Sequence, residues 1–123
     1  MPPGAEGDGE RRVTESIHEQ IVGEVAAWPG VTITEHRFGG VEFRVGRREL
    51  GHLHGNRLAD LPFPVRVREQ LVAEGKASHH HVLPRSGWVS CYIRTPGDVA
   101  QVVALFRLNY ERPWVAADAD THQ

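Results

Sequence analysis

The sequence predicts a two-layer α+β domain, in which an antiparallel four-stranded sheet carries helices on one face. Apolar residues follow a helical period near both ends of the chain, and they alternate with a period of two in between. The 123 residues are 40% hydrophobic and 24% charged, which is typical of one globular domain. We expect this domain over residues 10–113, in the order α-β-β-β-α-β-α, with a disordered tail over 1–9 and a flexible tail over 114–123.

The first helix is predicted from a spacing of four, four, four and three between apolar residues. These residues are Val13, Ile17, Ile21, Val25 and Trp28. They form one face of an amphipathic helix, which Pro29-Gly30 ends. Ser16 and Glu19 fit a capping box, but the period already begins at Val13 and favours an earlier start.

Three short strands follow and form a meander. Val31 and Ile33 alternate with threonines, and the turn at Gly39-Gly40 leads to a second strand over 41–45. Gly46-Arg47-Arg48 forms another turn before a third strand over 49–54. The meander is the simplest arrangement of three such strands.

The second half of the chain is predicted to be less regular. Residues 55–64 are expected to be irregular, because Leu61-Pro62-Phe63-Pro64 does not suit a helix or a strand. Pro64 suits the first position of a helix that runs to about Glu74. Residues 75–86 are expected to form a loop that carries three histidines.

The last two elements are a strand and a helix. Trp88 to Arg94 alternates in the manner of a fourth strand. Thr95-Pro96-Gly97-Asp98 is typical of a helix start, with Thr95 as the cap, and Pro113 ends that helix.

Alternation divides the strand residues between a covered face and an open face. The covered face is expected to carry Val31, Ile33, Val41, Phe43, Val45, Val89, Cys91 and Ile93. The open face is expected to carry Thr32, Thr34, His36, Glu42, Arg44, Trp88, Ser90, Tyr92 and Arg94. In a regular strand, Leu50 and Leu53 would point to opposite faces, so the inward face of the third strand is ambiguous. If Leu53 points inward, His52 and His54 join the open face.

Composition excludes several classes of protein. Fourteen basic residues against sixteen acidic ones give a net charge of -2, which disfavours nucleic acid and anionic membranes as partners. The N-terminus lacks the pattern of a signal peptide, and no apolar stretch reaches the roughly 20 residues that span a bilayer. The single cysteine, Cys91, suits a reducing compartment and an inert, buried thiol. We therefore expect a cytoplasmic protein.

The candidate site consists of two histidine-rich segments, which hold five of the eight histidines. His52 and His54 lie two residues apart on a strand, so their imidazoles share one side at a separation of about 6–7 Å. Such a pair can chelate a divalent transition metal if a third ligand comes from elsewhere. The candidate donors are His36, His79, His80, His81 and Asp60, and the preferred metal set is His52, His54 and His81.

Several motifs resemble those of the luciferase-domain family, small bacterial and fungal domains of unknown function. The matching stretches are 51–55 (GHLHG), 61–64 (LPFP), 80–84 (HHVLP), 86–89 (SGWV) and 105–110 (LFRLNY). Family members usually carry aspartate where Asn56 stands here, so any acid or ligand role of that aspartate is in doubt in this chain. The family name implies no light emission, because the chain lacks the cofactor motifs of the large luciferases.

A looser similarity is to the MmcQ/YjbR-like proteins, which have a CyaY-like fold and are often labelled DNA-binding. The shared features are an amphipathic first helix, Pro29-Gly30-Val31, a strand meander, a late Trp-Val strand and a final helix. This resemblance supports the architecture and adds little about function.

Three hypotheses follow for function, and the sequence does not decide whether the protein is an enzyme. The leading one is a small binding module for a small anion or a protein partner. Its site would comprise His52, His54, His80, His81, Trp88, Tyr92 and Arg44, with the aromatic residues as a stacking wall. The alternatives are a metal-dependent enzyme that uses His52 and His54 with His80 or His81, and a DNA-binding protein.

Overall fold

Three helices are separated by a run of four strands and a run of two in the computed structural model, which describes residues 16–36 and 40–113. The helices are α1 (Ile17–Ala26), α2 (Val65–Ala73) and α3 (Asp98–Glu111). The strands are β1 (Val31–Glu35), β2 (Gly40–Val45), β3 (Arg48–His54), β4 (Leu58–Pro62), β5 (Ser78–His79) and β6 (Trp88–Tyr92). The predicted tails, 1–9 and 114–123, lie outside the described residues.

The strands form one antiparallel sheet in the order β1-β2-β3-β4-β6-β5. The predicted α+β class is confirmed, but the predicted number of four strands is wrong. β4 lies in the segment 55–64 that was expected to be irregular. Pro62 is tolerated there because it is the last residue of β4 and lies beyond the pairing of β3 with β4, which ends at Asp60. β5 is a two-residue strand within the predicted loop 75–86 and pairs with β6.

Two helix starts differ from the predictions. The first helix begins at Ile17, because Ser16 and Glu19 form the complete capping box; an earlier start is wrong, and Val13 lies outside the described residues. α3 begins at Asp98, three residues after the predicted cap. The Asp98 carboxylate accepts the N–H groups of Arg94 and Thr95, so this side chain closes the preceding turn. Within the described residues, no helix is long and apolar enough to cross a membrane.

A single core lies between the helices and the covered face of the sheet. It contains Ile21, Val25, Val41, Phe43, Leu50, Leu53, Ala59, Leu61, Phe63, Leu71, Val89, Cys91, Ile93, Val102, Leu105 and Phe106. The rings of Phe43 and Phe106 pack edge to face, 5.0 Å apart. The predicted inward residues belong to this core or pack against it, except Ile33, which is 43% exposed because β1 is the outermost strand.

A β-bulge resolves the ambiguous parity of β3. Phe43 pairs with Gly51, but the next residue, Arg44, pairs with Glu49. Leu50 is therefore an extra residue, and both Leu50 and Leu53 point into the core with no exposed surface. His52 and His54 consequently lie on the open face, as expected for an inward Leu53.

Candidate functional site

The site is built on a row of polar side chains that crosses the open face of the sheet. The register places Glu42, His52, Asp60 and Ser90 side by side on β2, β3, β4 and β6. Asp60 lies in the middle of the sheet and is only 1% exposed. A buried carboxylate requires hydrogen-bond partners or a cation, because leaving it unpaired costs several kcal/mol, on the order of the desolvation penalty of an ion.

Both oxygens of Asp60 have partners. Oδ1 accepts a hydrogen bond from the Ser90 hydroxyl at 2.7 Å. Oδ2 faces four imidazole Nε2 atoms, which belong to His54 at 3.0 Å, His81 at 3.2 Å, His80 at 3.5 Å and His52 at 3.9 Å. The two histidine segments, about 25 residues apart in sequence, therefore meet at one carboxylate oxygen.

His52 is oriented by Glu49. Its Nδ1 lies 2.6 Å from Oε2 of Glu49, and a carboxylate only accepts, so Nδ1 carries a proton. Burial by itself lowers the pKa of His52, but the hydrogen bond to Glu49 and the charges of Glu49, Asp60 and Glu42 outweigh burial and raise this pKa above 6.5. In the neutral ring, Nε2 presents its lone pair toward Asp60.

His80 has the opposite proton arrangement. The backbone N–H groups of Val82 and Leu83 both donate to its Nδ1, at 3.0 and 2.9 Å. Nδ1 is therefore an acceptor, and Nε2 carries the proton that points toward Asp60. Burial lowers the pKa of His80; the charge of Asp60 opposes this shift, and His81 and His52 add to it. His80 is thus a neutral hydrogen-bond donor.

Arg68 of α2 fixes the loop that carries His80 and His81. Its guanidinium is buried and donates to the carbonyl oxygens of Pro84 at 3.0 Å and Ser86 at 2.9 Å. The Ser86 hydroxyl in turn donates to the Leu83 carbonyl and accepts the N–H of Trp88. These bonds hold residues 80–86 over the open face, beside β6.

The other predicted site residues lie in different surroundings. Trp88 is 6% exposed and packs against the rings of His52 and His80, with centroids 5.2 and 6.0 Å away. Tyr92 is exposed, and the Arg94 guanidinium lies 5.3 Å from its ring centroid. Arg44 pairs with Glu42 and donates to the Arg47 carbonyl. No contact joins Tyr92 or Arg44 to the Asp60 carboxylate among the described residues.

A cavity of about 330 Å³ opens beside this cluster, over β2 and β3. Polar side chains line it, together with backbone of the two strands. They are His36, Glu42, Glu49, His52 and His54. Gly40, which also lines the cavity, pairs with His54 across the two strands. The imidazoles of His52 and His54 are thus reachable by a small molecule.

Asn56 lies next to the site but has a structural role. Its Oδ1 accepts the N–H of His18 at 2.7 Å, and Nδ1 of His18 lies 3.0 Å from the Gly55 carbonyl oxygen. His18 is in the first turn of α1, where backbone N–H groups lack helical partners. An aspartate at position 56 would satisfy the same donor and favour the helix dipole, so either residue suits this place.

Three residues of the site did not stand out in the sequence. Asp60 was only one of several candidate donors, because β4 was not predicted; the alternation of Asp60 with buried Ala59 and Leu61 is the signal for it. Ser90 was assigned to the open face without a role. Glu49 is brought to His52 by the bulge in β3, which no local pattern indicates.

Potential metal-ligating atoms in the described residues form two groups that share Asp60. One contains His52, His54 and Asp60, and the other contains Asp60, His80 and His81; the atoms of each group lie within 4.8 Å of one another. Cys91 is not part of either group, and burial, with the charge of Asp98, raises the pKa of its thiol to about 11. The expectation of an inert, buried cysteine agrees with this environment.

The family model of the Luciferase domain matches residues 47–109, which is just over half of the chain and includes every residue of both groups. No curated protein and no solved structure matches the chain. The chain belongs to the luciferase-domain family.

Proposed function

We propose that this luciferase-domain protein binds one divalent transition-metal ion at Asp60, His52 and His54, and that it is a metal-dependent enzyme acting on a small molecule. Two imidazoles and one carboxylate are a ligand set of catalytic metal centres, which keep coordination positions open. Structural zinc sites are instead closed by four protein ligands, commonly thiolates.

The observation that carries this proposal is the orientation of His52. Glu49 holds the proton on Nδ1, so the lone pair of Nε2 faces the Asp60 carboxylate across 3.9 Å. A lone pair and an anion repel each other unless a cation lies between them. A proton is one such cation; the pKa of His52 is raised against the effect of burial, first by Glu49 and then by the charges of Asp60 and Glu42. A metal ion is the other, and the carboxylate–histidine pair of Glu49 and His52 is the arrangement that commonly orients a metal-ligating imidazole.

The two histidines of the loop have different roles in this proposal. Nδ1 of His80 already accepts two backbone N–H groups, so the proton of the neutral ring is on Nε2. Ligation through Nε2 would remove this proton and leave an imidazolate, with no proton on either nitrogen. His80 therefore donates to Asp60 from outside the coordination sphere. His81 belongs to the second group of potential ligands: its Nε2 lies 3.2 Å from Asp60 and its side chain is 41% exposed, so it faces the same carboxylate from the solvent side and is not one of the three proposed ligands.

The geometry favours a metal over the binding of a small anion. The ring nitrogens that would hold an anion already surround the Asp60 carboxylate. The negative charge of this carboxylate would repel a bound anion. Trp88 is buried against two imidazoles and offers no free stacking wall. The cavity beside His52 and His54 would give a small substrate access to a metal held by these residues and Asp60, and such an ion would supply Lewis-acid chemistry there.

Metal analysis of untagged protein tests the proposal. After treatment with a chelator, the protein is titrated with Zn²⁺, Mn²⁺, Fe²⁺, Co²⁺ or Ni²⁺ in a calorimeter, and the metal content is measured by mass spectrometry. We expect one ion per chain for at least one metal, and loss of binding in Asp60→Asn and His54→Asn.

The control variants are His79→Asn and His36→Asn. His79 neighbours the cluster in sequence but lies beside the Pro84 carbonyl, and His36 pairs with Glu42, so both should leave binding intact. His80→Gln should weaken binding without abolishing it, by about 10–100-fold, as expected for an outer partner. Absence of a stoichiometric ion, or equal loss in the control variants, would refute the metal site.

A further inference from the structure

We propose that the outer edge of β1 pairs with β1 of a second copy of this chain, antiparallel and about a twofold axis at Ile33. Among residues 16–36 and 40–113, β1 is the outermost strand at one end of the sheet. The pairing would join two six-stranded sheets into one continuous sheet. This inference is independent of the metal site.

The direction of the backbone groups of β1 supports this pairing. The N–H of His36 donates to the Gly40 carbonyl, and the antiparallel register continues through Thr34 opposite Glu42 and Thr32 opposite Arg44. Backbone groups alternate in direction along a strand, so Thr32 and Thr34 bond to β2. The N–H and C=O groups of Ile33 and Glu35 therefore point away from the sheet and can pair with a further strand.

β1 has few of the features that usually protect an edge strand, and its one charged residue, Glu35, is at its end. Its sequence, Val-Thr-Ile-Thr-Glu, has high strand propensity and contains no proline, lysine or glycine. Ile33 is 43% exposed, although it lies on the covered face of the sheet. At the opposite end of the sheet, β5 has only two residues and offers a short edge.

A second copy fits this edge because the strand is complementary to itself. With the axis at Ile33, the two isoleucines face each other, Thr32 faces Thr34, and Val31 faces Glu35. Ile33 would then exchange two hydrogen bonds with its counterpart, and the two exposed side chains would cover each other on one face. Thr–Thr pairs favour cross-strand contact, and no like charges meet. A stretch with this symmetry suits an isologous interface.

Mass measurement of the full chain in solution tests the pairing. Light scattering and sedimentation from low micromolar to millimolar concentration should give twice the 13.7 kDa monomer mass as concentration rises. Ile33→Lys and Ile33→Pro should both remain monomeric. Proline at position 33 removes an N–H that points outward and spares the bonds between β1 and β2. Circular dichroism verifies that each variant is folded.

Leu108→Lys is the matched control, because Leu108 is also 43% exposed but lies on α3. It should dimerise as the unaltered chain does. A chain that stays monomeric throughout, a dimer that survives both Ile33 variants, or an equal loss in Leu108→Lys would overturn the proposal.

A cross-linking variant gives a positive signal that does not depend on destabilisation. In Ile33→Cys, the paired Cα atoms would lie about 5.5 Å apart, within the range that a disulfide spans. Mild oxidation should give a disulfide-linked dimer on a non-reducing gel, whereas Leu108→Cys should not. Equal cross-linking of both variants would contradict pairing at β1.

Discussion

The Ser90 hydroxyl and the Asp60 carboxylate share a buried hydrogen bond of 2.7 Å between β6 and β4. This bond occupies Oδ1 and leaves Oδ2 as the oxygen that faces the imidazoles of His52, His54 and His81. Ser90 itself has no exposed surface. The serine therefore determines which oxygen of Asp60 is available to a cation.

Replacing Ser90 by alanine should weaken both the fold and the metal site. The variant leaves Oδ1 of Asp60 buried and unsatisfied, which should lower the free energy of unfolding by about 1.5–3 kcal/mol, as for a hydrogen bond to a charged group. Metal affinity should fall by about 10–100-fold, as when an outer partner of a ligand is removed. Urea denaturation and calorimetric titration measure the two effects. Ser78→Ala is the control, because Ser78 pairs with Ser90 in register but is exposed; equal effects would contradict the role of Ser90.

Glu49→Gln should lower the pKa of His52. The glutamate raises this pKa through a hydrogen bond and its charge, against the opposing effect of burial, and glutamine removes the charge. A histidine with a raised pKa binds its proton more tightly in the folded state. Its contribution to stability is therefore complete below the ordinary value of 6.5 and is lost as pH rises through the higher folded value.

Two measurements on metal-free protein check this expectation. NMR titration of the His52 ring should give a lower pKa in Glu49→Gln than in the unaltered chain. The stability that the unaltered chain has over Glu49→Gln should decline as pH rises above 6.5; His80, whose pKa is lowered, affects both proteins and does not contribute to this difference. An unchanged His52 titration would mean that Glu49 does not hold the Nδ1 proton.

Arg68→Lys should loosen the loop that carries His80 and His81. Both hydrogen bonds come from one guanidinium nitrogen, Nη1. Lysine keeps the charge, but its ammonium is a more strongly hydrated point charge and is therefore costlier to bury at this position. We expect a loss of about 1–3 kcal/mol in stability, because a buried carbonyl loses its donor. Metal affinity should fall as well, because His80 and His81, which pair with Asp60, would be less firmly held. Arg66→Lys on the exposed part of the same helix is the control, measured by the same denaturation and titration. Stronger loss in Arg66→Lys would argue against the anchor.

Local patterns in the sequence predicted much of the fold but only part of the site. The period of α1 and the alternation in β2 and β6 correspond to residues that bury one face, and such faces are readable from spacing. The position of His52 and His54 on the open face followed from an inward Leu53. These inferences needed only the neighbours of each residue in the chain.

The rest of the site depends on contacts between distant parts of the chain. β4 became a strand because β3 and β6 pair with it on both sides, which outweighs the disfavoured Pro62 at its end. That pairing buries Asp60. Likewise, His80 and His81 reach the site because Arg68, more than ten residues earlier, binds the loop that follows them. The spacing of apolar residues along the chain does not indicate such long-range hydrogen bonds.

The bulge in β3 is the most sensitive point of this architecture, because Gly51 has no room for a side chain. A Cβ at position 51 would lie 2.6 Å from the Asp60 carbonyl oxygen, 2.9 Å from Cγ of Leu61 and 3.0 Å from Cε1 of Phe106. The φ angle of 148° also lies in the region that L-residues rarely adopt. The first of these contacts is with backbone, so β4 itself would have to move.

Gly51→Ala should therefore destabilise the protein by about 3 kcal/mol or more, as overpacking and backbone strain add together. It should also impair metal binding, since a shift of β4 moves Asp60 away from His52. Gly23→Ala is the control, because nothing lies within 4 Å of a Cβ at this position in α1. Alanine there should stabilise the helix by about 0.5–1 kcal/mol. Chemical denaturation of both variants gives the comparison. A Gly51→Ala variant as stable as the unaltered chain would mean that the close approach of Gly51 to β4 does not hold β3 and β4 in place.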